Sequence, residues 1–245
     1  MENFRNLTLV GTSHIASESI RAVNAAITDK VDIVAVELDN NRLQALLSSK
    51  RRRPSLSDIR IVGLTGWLFA IIGGWVQKKL GASVGIDPGA DMLAAVKACR
   101  KKGKTLALID QDISVTLRRL STSLTWKERL RVPYDIIAAI LAPRRQIKKL
   151  GITSLDLSKV PSKELIKKLI LEVKHRYPNI YRVLIEERNI FMSHRLVRLM
   201  ESNRDKIIIA VVGAGHEEEM IGMIRSLLND DDSSAQSFEF SASLG

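Results

Sequence analysis

Short apolar runs alternate with segments of helical spacing along the chain. Residues 7–10 (LTLV) form a compact apolar run that Gly11 ends, which predicts a strand. Beyond it, residues 16–27 place Ile20, Val23, Ala26 and Ile27 on one helical face. Residues 33–36 (IVAV) are apolar throughout, as expected of a strand covered on both faces. A helix begins at Asn40 with Leu43, Leu46 and Leu47 on one side, and KRRRP at 50–54 ends it. After a GIDPGAD loop, Met92, Ala95, Val96 and Cys99 mark another helix. Residues 105–109 (TLALI) predict a strand that ends in Asp110. From 113 to 173 the spacing is helical, with breaks expected at Pro133, Pro143, Gly151 and Pro161. A helix over 180–200, a strand over 206–212 (KIIIAVV) and a helix over 217–228 follow. The pattern predicts an α/β fold: a central, mostly parallel sheet with flanking helices and a helical insertion at about 113–175. Residues 1–230 read as one domain, and the polar segment 231–245 as a disordered tail.

Residues 61–76 (IVGLTGWLFAIIGGWV) break the alternation, with no charge and four glycines. The run falls short of the roughly 20 residues that span a bilayer. Its flanks are basic, with Arg51, Arg52, Arg53 and Arg60 before it and Lys78 and Lys79 after. Trp67 and Trp75 lie inside it in a chain with only 4% aromatics. It is expected to pack against a second subunit, making a homodimer, or against a membrane surface.

Composition narrows the classes. With 45% hydrophobic and 27% charged residues, the chain can bury a core and is neither disordered nor a typical multi-span membrane protein. A single cysteine, Cys99, excludes an internal disulfide or a cysteine-based zinc site and suits the cytoplasm. The N-terminus lacks a basic region followed by a long apolar one, so no secretory signal is expected. The formal charge is +11. Between 118 and 176 there are fifteen Lys or Arg against five Asp or Glu. That surplus is either a solvated helical face or a patch for an anionic membrane surface. Nucleic acid is not the expected partner, because zinc-finger spacing and base-stacking aromatics are missing.

Candidate chemistry gathers at strand ends. LTLV-GTSH and IIAVV-GAGH repeat one design: a strand, then Gly-x-x-His, then a helix. This puts His14 and His216, two of four histidines, at the carboxyl edge of the sheet, where ligands of open α/β folds bind. A helix N-terminus disfavours imidazolium and leaves the ring free to bind a metal or act as a base; the plainer reading is a helix cap. Glu37 follows IVAV and Asp110 follows TLALI; a carboxylate there needs a pair, a hydrogen bond or a metal. Arg42 is the plain structural partner for Glu37. Glu186, Glu187 and Arg188 sit in an otherwise apolar helix, as a buried ion pair or as part of the site. His175 and His194 read as surface residues.

The ordered set of Gly11-Thr12-Ser13-His14, Val36-Glu37-Leu38-Asp39 with Arg42, Asp87-Pro88-Gly89-Ala90-Asp91-Met92, Asp110-Gln111-Asp112-Ile113 with Thr116, Leu117 and Arg118, Glu186-Glu187-Arg188 and Gly213-Ala214-Gly215-His216 resembles the TraB/PrgY family, which is related to the GumN and Tiki proteins. The resemblance runs from about residue 7 to 228 and is strongest to the pheromone-shutdown branch. It implies an erythromycin-esterase/ChaN-like fold. In the Tiki branch the paired histidines and acidic residues serve a metal-dependent peptidase, with manganese or cobalt favoured; the PrgY branch limits a secreted peptide pheromone. Two features depart from the pattern. Gln111 stands where that branch carries an arginine, and many members continue into C-terminal membrane spans. The expected function is a metal-dependent hydrolase acting on signalling peptides. His14, Glu37 and His216 would hold a divalent ion (manganese, cobalt or zinc), with open positions for water. Glu187 or Asp110 would complete the shell or act as general base, and Arg42 and Arg188 would orient carboxylates or stabilise an oxyanion. The alternative is a non-enzymatic regulator that binds a peptide, or a membrane component, and sequesters it.

Overall fold

The computed structural model describes residues 1–12, 17–48, 54–84, 89–141 and 163–242. Five strands form one mixed sheet: β1 (Glu2–Phe4), β2 (Leu7–Thr12), β3 (Ile33–Val36), β4 (Thr105–Leu108) and β5 (Ile208–Gly213). Their order is β1-β2-β5-β3-β4. The last four run parallel, and β1 pairs antiparallel with β2 through a tight turn in which Arg5 takes a positive φ of 50°. β5 comes last in sequence but lies between β2 and β3. Thr12 is in register with Gly213, and Val36 with Val211. The two Gly-x-x-His turns therefore leave from neighbouring strands, with the end of β3 beside the second.

Alternation along the strands separates two cores. Leu7, Leu9, Ile33, Ala35, Ile208, Ala210 and Val212 face one way. They pack against α9 (Glu187–Glu201) through Met192, Leu196 and Met200 and against α10 (Glu217–Ala242) through Met220, Ile224 and Leu228. Val10, Val34, Val36, Ile209 and Val211 face the other way. There they meet Val23 and Ile27 from α1 (Ser17–Ala26) and its following turn, and Met92, Ala95, Val96 and Cys99 of α4 (Ala90–Lys101). α10 continues through most of the segment expected as a tail; no proline or glycine interrupts residues 223–242.

Between β3 and β4 lie α2 (Asn40–Leu47) and α3 (Ile59–Val84), the latter kinked at Gly63, where φ is 75°. The insertion after β4 builds α5 (Ile113–Ser123), α6 (Trp126–Leu141) and α7 (Lys163–Arg176). The expected breaks at Pro143, Gly151 and Pro161 lie outside the described residues. α6 runs through Pro133, since a proline removes one helical N–H and leaves the rest of the ladder. The short α8 (Pro178–Tyr181) leads into a π-helical turn (Arg182–Glu186) and then α9. Leu120, Leu124, Ile180 and Val183, with Phe69 and Val132 against them, form a third core that joins α3 to the insertion. Thr125 and Glu128 cap α6 reciprocally, and Glu128 also accepts from the Asn179 backbone and side-chain amides at 3.0 and 2.8 Å.

Candidate active site at the carboxyl edge of the sheet

Three strand ends and α9 converge on one buried ion network. Glu37 follows β3 directly and is almost wholly enclosed. Its Oε2 accepts from the Gly213 backbone at 2.6 Å, which ties the end of β3 to the second Gly-x-x-His turn. Asp110 lies just past β4, also buried. The Arg188 guanidinium fills the space between the two carboxylates. Its Nη2 donates to Glu37 Oε1 and to Asp110 Oδ2, the latter at 2.6 Å, and Nε donates to Asp110 Oδ1 at 3.2 Å. Arg42 reaches the same Asp110 Oδ2 at 2.7 Å. Arg42 is held there because Asp39 caps α2, accepting from the backbone of Asn41 and Arg42. Two carboxylates thus meet two guanidinium groups, and the local charge closes. Burial works against the charged form of Arg188, but Glu37 and Asp110 outweigh it and hold its pKa above the ordinary value.

His216 stands directly before α10, buried beside this network. Its Nδ1 lies 2.5 Å from Asn189 Oδ1. The direction of that bond follows from the groups behind it. Glu219 accepts from the Tyr181 hydroxyl at 2.7 Å and from Asn189 Nδ2 at 2.8 Å, so the Asn189 amide turns its oxygen toward the ring. Nδ1 must then carry the proton. In the neutral ring the unprotonated Nε2 accepts from Arg188 Nη1 at 3.4 Å and lies 3.6 Å from Glu37 Oε1. Tyr181, Glu219 and Asn189 therefore fix the tautomer, as partners behind metal-binding or basic histidines commonly do. Burial, and then the Glu219 carboxylate, raise the Tyr181 hydroxyl well above its ordinary pKa, so it stays a donor. The π-helical turn helps present Arg188 and Asn189 to the site. The Glu187 N–H bonds to the Arg182 carbonyl, one residue beyond α-helical spacing, which shifts the phase of everything after it.

The remaining expected site residues are placed as follows. His14 lies outside the described residues, two positions past the end of β2. Glu187 points away from the network and is gripped by Arg119 at 2.6 and 3.0 Å; that pairing lowers its pKa. Arg188 pairs across the sheet edge rather than with its own helix neighbour. His175 and His194 are exposed. Sequence reasoning did not single out Asn189, Glu219 or Tyr181. Only the adjacency of Asn189 to Arg188 hints at its part. Thr12 Oγ1 donates to buried Asp91 at 2.5 Å, adding a third carboxylate beneath the first turn. A cavity of about 560 Å³ opens beside the second turn, lined by Ala214, Gly215, Tyr181, Glu219, Lys167 and Lys174 among others.

Among the described residues no group of three or more His, Cys, Asp or Glu side chains is arranged to hold a metal ion. Two donors are nonetheless suitably placed. His216 Nε2 is unprotonated in the neutral ring, and its 3.6 Å separation from Glu37 Oε1 falls within two metal–ligand bonds of roughly 2.0–2.1 Å, although Arg188 donates to both atoms. The pair fits half of a divalent site in kind and in span.

Comparison with known proteins adds family evidence. The sequence model of the TraB/PrgY/gumN family matches residues 2–231. An uncharacterised protein of Methanocaldococcus jannaschii is 32% identical over 230 residues, covering 93% of this chain and 55% of its own length. TraB domain-containing proteins of Bos taurus and Homo sapiens are each 24% identical over 240 residues, covering 88% of this chain and 61% of theirs. The chain thus spans somewhat more than half the length of these relatives.

Proposed function

The chain belongs to the TraB/PrgY/gumN family, and from that premise we propose that its sheet edge is the active site of a metal-dependent hydrolase acting on peptides. The observation that carries the reading is the fixed tautomer of His216, which leaves Nε2 unprotonated 3.6 Å from Glu37 Oε1. His14, Glu37 and His216 would hold a divalent ion (manganese, cobalt or zinc). Such an ion supplies Lewis acidity and a water acidic enough to attack a carbonyl at neutral pH. The chain's own groups do the rest. Asn189 keeps the His216 Nδ1 protonated. Arg188 holds Glu37 and Asp110 in fixed orientations, and Arg42 secures Asp110 from the other side. Asp110 is the carboxylate that adjoins Glu37, through the shared Arg188, while Glu187 is held away from the network by Arg119. An erythromycin-esterase/ChaN-like fold and a cytoplasmic setting, consistent with the free buried Cys99, accompany this reading.

A second reading is favoured by one feature. The Glu37–Arg188–Asp110–Arg42 network balances its charge without an ion, as suits a protein that binds and sequesters a peptide without cutting it. A peptide library incubated with the full chain, with added manganese, cobalt or zinc and with chelator, separates the two. Hydrolysis that chelator and His216→Ala both abolish is expected. Peptide binding without turnover under any metal would overturn the hydrolase and leave the sequestering regulator.

A further inference from the structure

α3 is the most apolar of the described helices, yet the monomer covers little of it. Over Leu56–Trp75 the mean hydropathy is 1.5 and only 11% of the segment is buried. Beyond the kink at Gly63, Leu64, Leu68 and Ile71, spaced by four and three, form one outward stripe, each 38–59% exposed, and Trp75 continues it; Ile61, before the kink, is 60% exposed. The opposite side is occupied. Val62 and Gly66 are buried against α5, where Ser121 bonds the Val62 carbonyl and the Gly66 N–H.

A second stripe lies on α6. Trp126, Leu130 and Tyr134 follow at intervals of four and are 65–70% exposed. Phe69 of α3 and Val132 of α6 both pack against the third core, so the two helices flank it together. Cations flank them. Arg60 is exposed on α3, and Lys127, Arg129 and Arg131 on α6. The Lys127 ammonium sits 5.9 Å from the Trp126 ring centre. Acids are all but missing from the layer: α3 and α5 have none. The two on α6 are engaged, Glu128 in its cap and Asp135 with Arg176 and Tyr177.

We infer that the α3–α6 layer docks on an anionic lipid surface. Together the stripes offer aliphatic side chains to the acyl boundary, Trp75, Trp126 and Tyr134 to the headgroup level, and Arg60, Lys127, Arg129 and Arg131 to lipid phosphates. A second copy of the chain is the weaker fit. The cations beside both stripes would face one another across a two-fold interface, and among the described residues the acids within α3, α5 and α6 are all engaged.

The test is flotation of the full chain with vesicles of phosphatidylcholine alone and with phosphatidylglycerol mixed in. Binding to the anionic vesicles only, weakened by salt, is expected. Lys127→Ala should lower partitioning about five-fold, the worth of one cation near such a surface. Leu64→Glu with Leu68→Glu should abolish binding, and circular dichroism should match the wild type because both sites are exposed. Trp126→Ala, on the other stripe, should weaken it independently. Sedimentation velocity is run in parallel. Failure to float with anionic vesicles, or binding unchanged in all the variants, would overturn the proposal. So would a dimer that the Leu64 and Leu68 replacements dissociate, which would assign the stripe to a second copy.

Discussion

Replacing Arg188 by methionine removes the one cation that touches both Glu37 and Asp110. Methionine fills a similar path through the core but donates nothing. The side chains of the two carboxylates are 3% and 2% exposed, so water cannot take the place of the guanidinium. Asp110 keeps Arg42 and Glu37 keeps the Gly213 amide, so the loss is partial for each. Breaking one side of a buried pair costs about 3–5 kcal/mol. At about 2–4 °C per kcal/mol for a chain of this size, the melting temperature should fall by roughly 6–20 °C. Glu37→Gln in the same background should recover part of the deficit, because an amide carries no charge to strand. Urea unfolding provides the measurement. A deficit under about 1 kcal/mol would refute a charge network that depends on Arg188.

Other expectations address the supports of the site. Asn189→Leu removes the acceptor on His216 Nδ1 and should cost about 1–3 kcal/mol; nitrogen-15 shifts of the ring should then lose the single Nδ1-protonated form expected of the wild type. Gly11→Ala should destabilise by about 1–3 kcal/mol, because the added methyl would lie 2.8 Å from Glu217 Oε2 and 3.2 Å from Ala214 Cα; equal stability in thermal melts would contradict the close approach of the two turns. In the helical layer, burial opposes ionisation of Glu128 but the Asn179 and Thr125 bonds prevail, and the Arg176 bond to Asp135 and the Arg119 bond to Glu187 act the same way, so all three pKa values are lowered. Their contribution is complete above the unfolded values near 4 and is lost as pH falls through the lower folded ones; hydrogen exchange on an acid series should show α6 and α8 opening before the sheet.

Apolar runs of four or more residues announced β2, β3, β4 and β5, because a strand covered on both faces has no polar positions to disguise it. β1 escaped notice: Glu-Asn-Phe offers no run, and its pairing depends on the turn at Arg5. The second Gly-x-x-His turn was legible as a strand end followed by a helix, and so were the carboxylates that close β3 and β4; His14 of the first turn lies outside the described residues. Their partners were not. Glu37 seemed due to Arg42, one turn away in sequence, but Arg42 goes to Asp110, and Arg188, 151 residues on, takes Glu37. Spacing within a helix cannot announce a contact made across a sheet edge. Nor could it reveal the π-helical turn, whose single extra residue separates the facing of Arg188 from that of Glu187. Asn189 and Glu219 carry no pattern of their own; they acquire a part only once His216 is in place.

The central claim is that His14, Glu37 and His216 share a divalent ion, and metal stoichiometry tests it most directly. The purified chain, dialysed after loading with manganese, cobalt or zinc, should retain about one ion per chain by plasma mass spectrometry at pH 7.5. Retention should fall at acid pH, because imidazole must be unprotonated to ligate. His14→Ala and His216→Ala, each folded by circular dichroism, should retain none. A wild-type chain that retains no ion, or variants that retain it as the wild type does, would contradict the claim.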